Sequence, residues 1–224
     1  MSVAALDATT LRQITGGENV LVLVPHPGEE SLGCGALIAE ACARGRPPYV
    51  AILTDGSGTH TSHAWPPARL AALRQRETRA ATAALGLDPD RLLFVGLFDG
   101  TVPDEGPFFD AVVGAVALVM WRQDCNVICA PVAGAPHADH RAAHAIAGAV
   151  AARTGVGQIG FFPHGAAPGT PGLRFPIGRH AAAKGRALAA HASQHGAVIT
   201  DDPSGFRLPP GLNMDCETYI PNRP

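Results

Sequence analysis

The chain has 224 residues, 46% of them apolar and 16% charged, which excludes a disordered or polyelectrolyte protein, since globular chains average about 25% charged residues. A net charge of −2 and a pI near 6.5 supply no field to attract nucleic acid or anionic lipid. One folded unit of this length buries roughly 70% of its unfolded surface and needs no covalent staples.

Val20 to Val24 is a short apolar run ended by Pro25 and predicts a buried strand. Ser31 can cap a helix through Leu37, Ile38 and Cys42, with Gly45 placed to stop it. A second strand is expected over Tyr49–Leu53, then a loop from Thr54 to Gly58. Arg69 to Leu85, rich in Ala, Leu, Arg and Glu and closed by Gly86, predicts a helix. Leu92–Val95 reads as a third strand, Phe108–Trp121 as a helix, and Asn126–Cys129 as a fourth strand ending at Pro131. A helix over Asp139–Arg153 and a strand over Gln158–Phe162 follow. The Gly- and Pro-rich stretch Pro163–Pro176 is expected to be loop, Arg179–Ala192 a last helix, and the segment from about residue 200 an irregular tail.

Strands separated by helices predict βαβ units and right-handed crossovers. With no internal repeat and no linker, the expectation is α/β: a single Rossmann-like three-layer domain over 1–224 with a mostly parallel sheet. Five cysteines (Cys34, Cys42, Cys125, Cys129, Cys216) form no CxxC pair, so neither a disulfide framework nor a thiolate metal site is expected. The first residues lack a secretory pattern, and the longest uncharged run, between Asp110 and Arg122, is shorter than the ~20 residues of a membrane span. A cytoplasmic protein is expected, with no nucleic-acid partner and compatible with a homo-oligomer.

In such a sheet ligands gather at the carboxyl ends of the strands. The residues there are His26-Pro27-Gly28-Glu29-Glu30, Thr54-Asp55-Gly56, Asp99, and His137-Ala138-Asp139-His140. Two imidazoles and a carboxylate from separate loops suit an open catalytic zinc site, whose bound ion acidifies water and polarises a carbonyl. Asp139 can accept the second ring proton of a nearby histidine and fix its tautomer. Read without that chemistry, these residues are surface histidines, turns and helix caps: Glu30 caps a helix, Asp55-Gly56 and Asp99-Gly100 make turns, and Arg74 and Glu77 are helix-surface charges. Gly33-Cys34-Gly35 lacks the third glycine and the acidic residue of a dinucleotide site.

Leu21 to Gly35, LVLVPHPGEESLGCG, resembles the opening of the PIG-L/LmbE-like family of zinc-dependent N-deacetylases. The similarity continues in order through Leu53-Thr54-Asp55-Gly56, Leu73-Arg74-Gln75-Arg76-Glu77 with Leu85-Gly86, Gly96-Leu97-Phe98-Asp99-Gly100 and His137-Ala138-Asp139-His140. It closes at Lys184 and His191-Ala192-Ser193-Gln194. The resemblance implies an LmbE-like fold and one Zn2+ per chain, Fe2+ being the other candidate ion, on His26, Glu29 and His140. It implies that His137 assists the reaction and protonates the leaving amine with Asp139 orienting it, and that Arg74 and Asp99 contact the sugar, beside a site-lining Asp55. The implied substrate is a small N-acetylglucosamine-type conjugate that loses its acetyl group.

One position departs from the family pattern. Its His-Pro-Asp-Asp-Glu reads His26-Pro27-Gly28-Glu29-Glu30 here, and the first Asp is the family's general base. Three readings follow: Glu29 or Glu30 takes the proton, His137 serves the water alone, or the chain is a non-catalytic metal- or sugar-binding relative. Hydrolysis of another amide or ester is a further alternative. Modest activity is expected, raised by Gly28→Asp.

Overall fold

The computed structural model describes residues 10–167, 169–196, 198–201 and 215–222. Along the chain run α1 (Leu11–Thr15), β1 (Val20–Val24), α2 (Glu29–Ala43), β2 (Tyr49–Thr54), α3 (Pro67–Ala84) and β3 (Leu92–Leu97). After them come α4 (Gly106–Arg122), β4 (Val127–Pro131), α5 (Ala138–Thr154), β5 (Gly157–Phe161), β6 (Leu173–Pro176), α6 (Ala181–Ala190) and β7 (Cys216–Asn222). The sheet order is β3-β2-β1-β4-β5-β7-β6, parallel from β3 to β5, with β7 antiparallel to both neighbours. The order reverses between β1 and β4, and a ligand crevice opens at their carboxyl ends.

Every residue of β1 is buried, because both faces of the sheet are covered. Val20, Val22 and Val24 pack with Ile14 of α1, Leu37 and Ile38 of α2, Ala81 of α3 and Ala187 of α6. Leu21 and Leu23 face Val113, Val116 and Met120 of α4 and Ala143, Ile146 and Val150 of α5. Three layers result, as the alternation of strands and helices predicts. Among the described residues no helix is long and apolar enough to cross a membrane.

Two strands depart from the sequence reading. The stretch assigned to loop contains β6, and Cys216–Asn222 of the expected irregular tail is β7; residues 202–214 of that tail lie outside the described residues. Pro221 fits within β7 because it pairs only with Ile159 of β5, whereas β6 meets β7 from Cys216 to Tyr219. Helix α1 also escapes the periodicity, being a single capped turn-and-a-half on Thr10.

Helix α2 is opened in its middle. In a regular helix the Leu32 carbonyl accepts from the Ala36 N–H and the Gly33 carbonyl from that of Leu37. Here Glu217 accepts from both amides, at 2.7 and 3.0 Å. Lys184 Nζ donates to the Leu32 carbonyl at 2.6 Å, and Tyr219 Oη donates to that of Gly33 at 3.2 Å. A Lys184–Glu217 ion pair of 2.6 Å closes the plug. Gly33 lets β5 pack close beside this part of the helix, since a β-carbon there would lie 2.4 Å from the Phe161 ring. Side chains inserted into the ladder thus set off the first turn of α2, which carries the candidate metal ligand Glu29, from the rest of the helix.

Candidate active site

His26 follows β1, and Glu29 is the first residue of α2. The turn between them depends on Gly28, at φ 103°, a conformation that L side chains rarely adopt. Gly28, not Ser31, is the N-cap of α2. His137 caps α5, its Nδ1 accepting from the Asp139 N–H at 3.2 Å, and His140 lies one turn in. Glu29 Oε1 sits 2.9 Å from His26 Nδ1 and 2.6 Å from His140 Nε2. Glu29 Oε2 is buried with no partner. Donor atoms of His26, Glu29 and His140 all lie within 4.8 Å of one another. An orphaned carboxylate oxygen beside two imidazoles is what a divalent cation satisfies, so the residues present fit a metal.

The electrostatics are those of a compressed cluster of opposite charges. Burial alone would lower the His26 imidazole, but Asp139, Asp99 and Glu29 outweigh it and push it up to about 12. Burial opposes ionisation of Glu29, yet His140 and His26 hold it down to about 2. Asp99 and Asp139 are likewise held below the usual carboxylate range, against burial, chiefly by their contacts with His26.

A cavity of about 430 Å3 lies over these groups, with Asp99, His137, Arg74, His164 and Gln194 in its walls. Arg74 reaches it from α3 and is 1% exposed; its Nη2 donates to Thr59 Oγ1 at 2.7 Å, while its Nε has no partner. Burial lowers it to about 10, so a guanidinium here favours an electron-rich ligand. Asp99 accepts from the Gly58 N–H and sits 3.1 Å from His26 Nε2.

Three sequence assignments change. Asp139 was expected to orient His137; its carboxylate instead faces His26 Nε2 at 2.9 Å and accepts from the N–H groups of Gly100 and Val102. It therefore orients a candidate metal ligand, because the first turn of α5 points its second residue back toward β1. Glu30 does not reach the cavity. Fully buried, it accepts from the Gly28 N–H and Ser31 Oγ at 2.8 Å and lies 3.0 Å from His191 Nε2. Asp55 is a loop brace, accepting from the N–H groups of Ser57 and Asp99.

The model of the PIG-L family, described as GlcNAc-PI de-N-acetylase, matches residues 21–151, more than half of the chain. The chain belongs to the PIG-L family. Solved structures agree with that fold. The N,N'-diacetylchitobiose deacetylase of Pyrococcus horikoshii aligns with a TM-score of 0.69 and 21% identity, over 83% of this chain and 74% of its own. The zinc-inhibited form of the teicoplanin deacetylase Orf2 gives 0.67 and 16%, over 91% and 97%. The 4-carboxy-2-hydroxymuconate hydratase GalB of Pseudomonas putida KT2440 gives 0.63 and 16%, over 92% and 97%. A comparison with curated protein sequences found no match.

Two cavity residues of this PIG-L chain have no role in the sequence reading. His164 follows β5 as His26 follows β1, so the strand-end rule that found the others points to it too. Gln194 enters on the short turn after α6, where no strand end announces it. That turn is fixed by Glu77 of α3, which accepts from the Ser193 N–H and Oγ at 2.7 and 2.6 Å. Glu77 is consequently buried rather than a helix-surface charge.

Proposed function

We propose that the protein is a metal-dependent N-deacetylase that hydrolyses the acetamide of an N-acetylated amino-sugar conjugate. The observation that carries this reading is Glu29, bridging His26 and His140 through one oxygen while its other is buried without a partner. When bound there, Zn2+ would polarise the acetyl carbonyl and make water more acidic. Membership of a family described by a GlcNAc-PI de-N-acetylase supports the amino-sugar substrate.

The chain's own residues divide the remaining work. Arg74, whose guanidinium lies in the cavity wall, binds an oxygen-rich part of the substrate and orients it over the cluster. The bond from the Asp139 N–H to His137 Nδ1 leaves the His137 proton on Nε2, where it donates to the carbonyl oxygen as negative charge develops. Gly28 offers no carboxylate, Glu29 is held between two histidines, and Glu30 is turned away. Among the described residues Asp99 is the remaining carboxylate in the cavity wall, and it takes the water proton and returns it to the departing nitrogen as the C–N bond breaks.

Acetate release from a panel of N-acetylglucosamine conjugates, with and without added zinc, tests the reading. Activity that falls at least ~10²-fold in both Asp99→Asn and His137→Ala is expected. Metal-loaded protein that releases no acetate from any member of the panel would overturn it.

A further inference from the structure

Helix α4 connects β3 to β4 with one face in the core and the opposite face bare. Val112, Val113, Val116 and Met120 are buried, whereas Phe108 is 76% exposed, Leu118 51% and Trp121 78%. Between Asp110 and Arg122 the helix carries no charge, so its solvent side lacks the polar residues that an outer face normally has. Phe108, Ala111, Ala115 and Leu118 recur at steps of three and four and share that side. On β3, an edge strand whose Leu93 and Leu97 pack with α4, Val95 is a further exposed apolar side chain. Phe98, the next residue after β3, stands 71% exposed. None of these side chains lines the cavity over His26 and His140.

A concentrated apolar surface of this kind marks a contact with protein or membrane. The charges around it disfavour anionic lipid: Asp104 and Glu105 precede α4, Asp110 lies within it and Asp124 follows, against Arg122 and the Arg153 of α5 beside Asp110. The geometry suits a second copy of the same helix. Ala111, Gly114 and Ala115 form a low centre, with Phe108 on one side of it and Leu118 and Trp121 on the other. A β-carbon on Gly114 would have one neighbour within 4 Å, Arg153 Nη1. Two α4 helices laid antiparallel about that centre approach closely, and Phe108 of each meets the Leu118–Trp121 end of the other. The same arrangement brings Asp110 of each to the Arg122 end of the other, so opposite charges meet twice, whereas parallel packing would set Asp110 against its own copy. We propose that α4 is the two-fold interface of a homodimer, packed antiparallel on the α4 of a second copy. Phe98, Phe108 and Trp121, at roughly 150–250 Å2 each when fully buried, supply on the order of 400 Å2 per protomer. That is about half of the ~800 Å2 per side in a standard interface, and Val95, Leu118 and the small central residues supply the rest.

Sedimentation equilibrium of the full chain, from about 1 to about 100 μM, tests the interface. The expected species is a dimer of twice 23.0 kDa that dissociates on dilution. Ala115→Arg fills the low centre and Trp121→Glu removes an anchor. Both residues are exposed on a formed helix, so circular dichroism and the urea midpoint should hold while the dissociation constant rises at least ~100-fold. Asp110→Arg and Arg122→Asp should each weaken the dimer, and the double variant should recover most of the loss. A monomer throughout the range overturns the proposal, as does an assembly that survives both Ala115→Arg and Trp121→Glu. A dimer lost in those two variants but not recovered by the double charge exchange overturns the antiparallel packing. A chain that stays monomeric and floats with phosphatidylglycerol vesicles assigns the surface to lipid and overturns it as well.

Discussion

The carboxamide nitrogen of Gln194 lies 2.8 Å from where a β-carbon on Gly28 would sit. It donates to the Pro27 carbonyl at 2.9 Å, so the volume above Gly28 is filled by a neutral side chain from the far end of the chain. The prediction for Gly28→Asp accordingly differs from the expectation drawn from the sequence. Gly28→Asp should not raise activity, because an L side chain is strained on a backbone at φ 103° and must also displace the Gln194 carboxamide. The expected result is a loss of about 1–3 kcal/mol in chemical denaturation and no gain in acetate release.

Gln194→Glu approaches the same volume from the open side. The new carboxylate loses its bond to the Pro27 carbonyl and turns into the cavity beside the reacting water. Acetate release should rise by roughly tenfold, part of the ~10²–10⁴ that a positioned base supplies, with a new acidic limb in the pH profile. A variant as slow as the wild type with an unchanged profile would show that a base at this point does not limit turnover.

Glu30 should matter for folding rather than chemistry. Glu30→Ala strips a fully buried carboxylate from the Gly28 N–H, Ser31 and His191. Leaving such donors unsatisfied costs on the order of 3 kcal/mol in total, read as a lower urea midpoint. Wild-type stability in this variant would be incompatible with the network described.

Sequence pattern alone located β1 to β5, α2 to α6 and both metal-candidate histidines, because a buried parallel strand is a continuous apolar run and its carboxyl end is where polar residues converge. β6 and β7 carry no such mark. Each is antiparallel to a strand far away in sequence, and β6 has only four residues inside a Pro-rich segment. Gln194 and the buried role of Glu77 were illegible for a related reason: their partners are 167 and 116 residues away. The direction in which Asp139 points depends on how α5 leaves β4, which spacing does not encode.

The cluster on buried Glu40 gives the molecule an acid limit. Burial opposes its ionisation, but Arg179, Arg44 and His180 hold it down to about 2. A folded-state value below the ordinary 4.5 means stability that is present above pH 4.5 and lost as pH falls toward 2. Glu40→Gln should therefore be less stable than wild type at pH 7, and the difference should shrink by pH 3. Salt should shrink it too, since both arginines are more than half exposed. A pH-independent difference would assign the effect to packing.

Glu217 meets the Ala36 amide across 181 residues of chain, and this separation governs the order in which the protein acquires its parts. Gly33 and Gly35 make the middle of α2 a poor helix by local preference, at about 1 kcal/mol each against alanine. The turn that carries Glu29 becomes rigid only after one of the longest loops in the molecule has closed. During refolding, amide protons of β1, β2 and β4 should gain protection from exchange before those of Leu32 to Leu37, and metal uptake should follow the later phase. In Glu217→Gln the two phases should draw further apart, with the scaffold forming on time and the metal-binding turn lagging behind it.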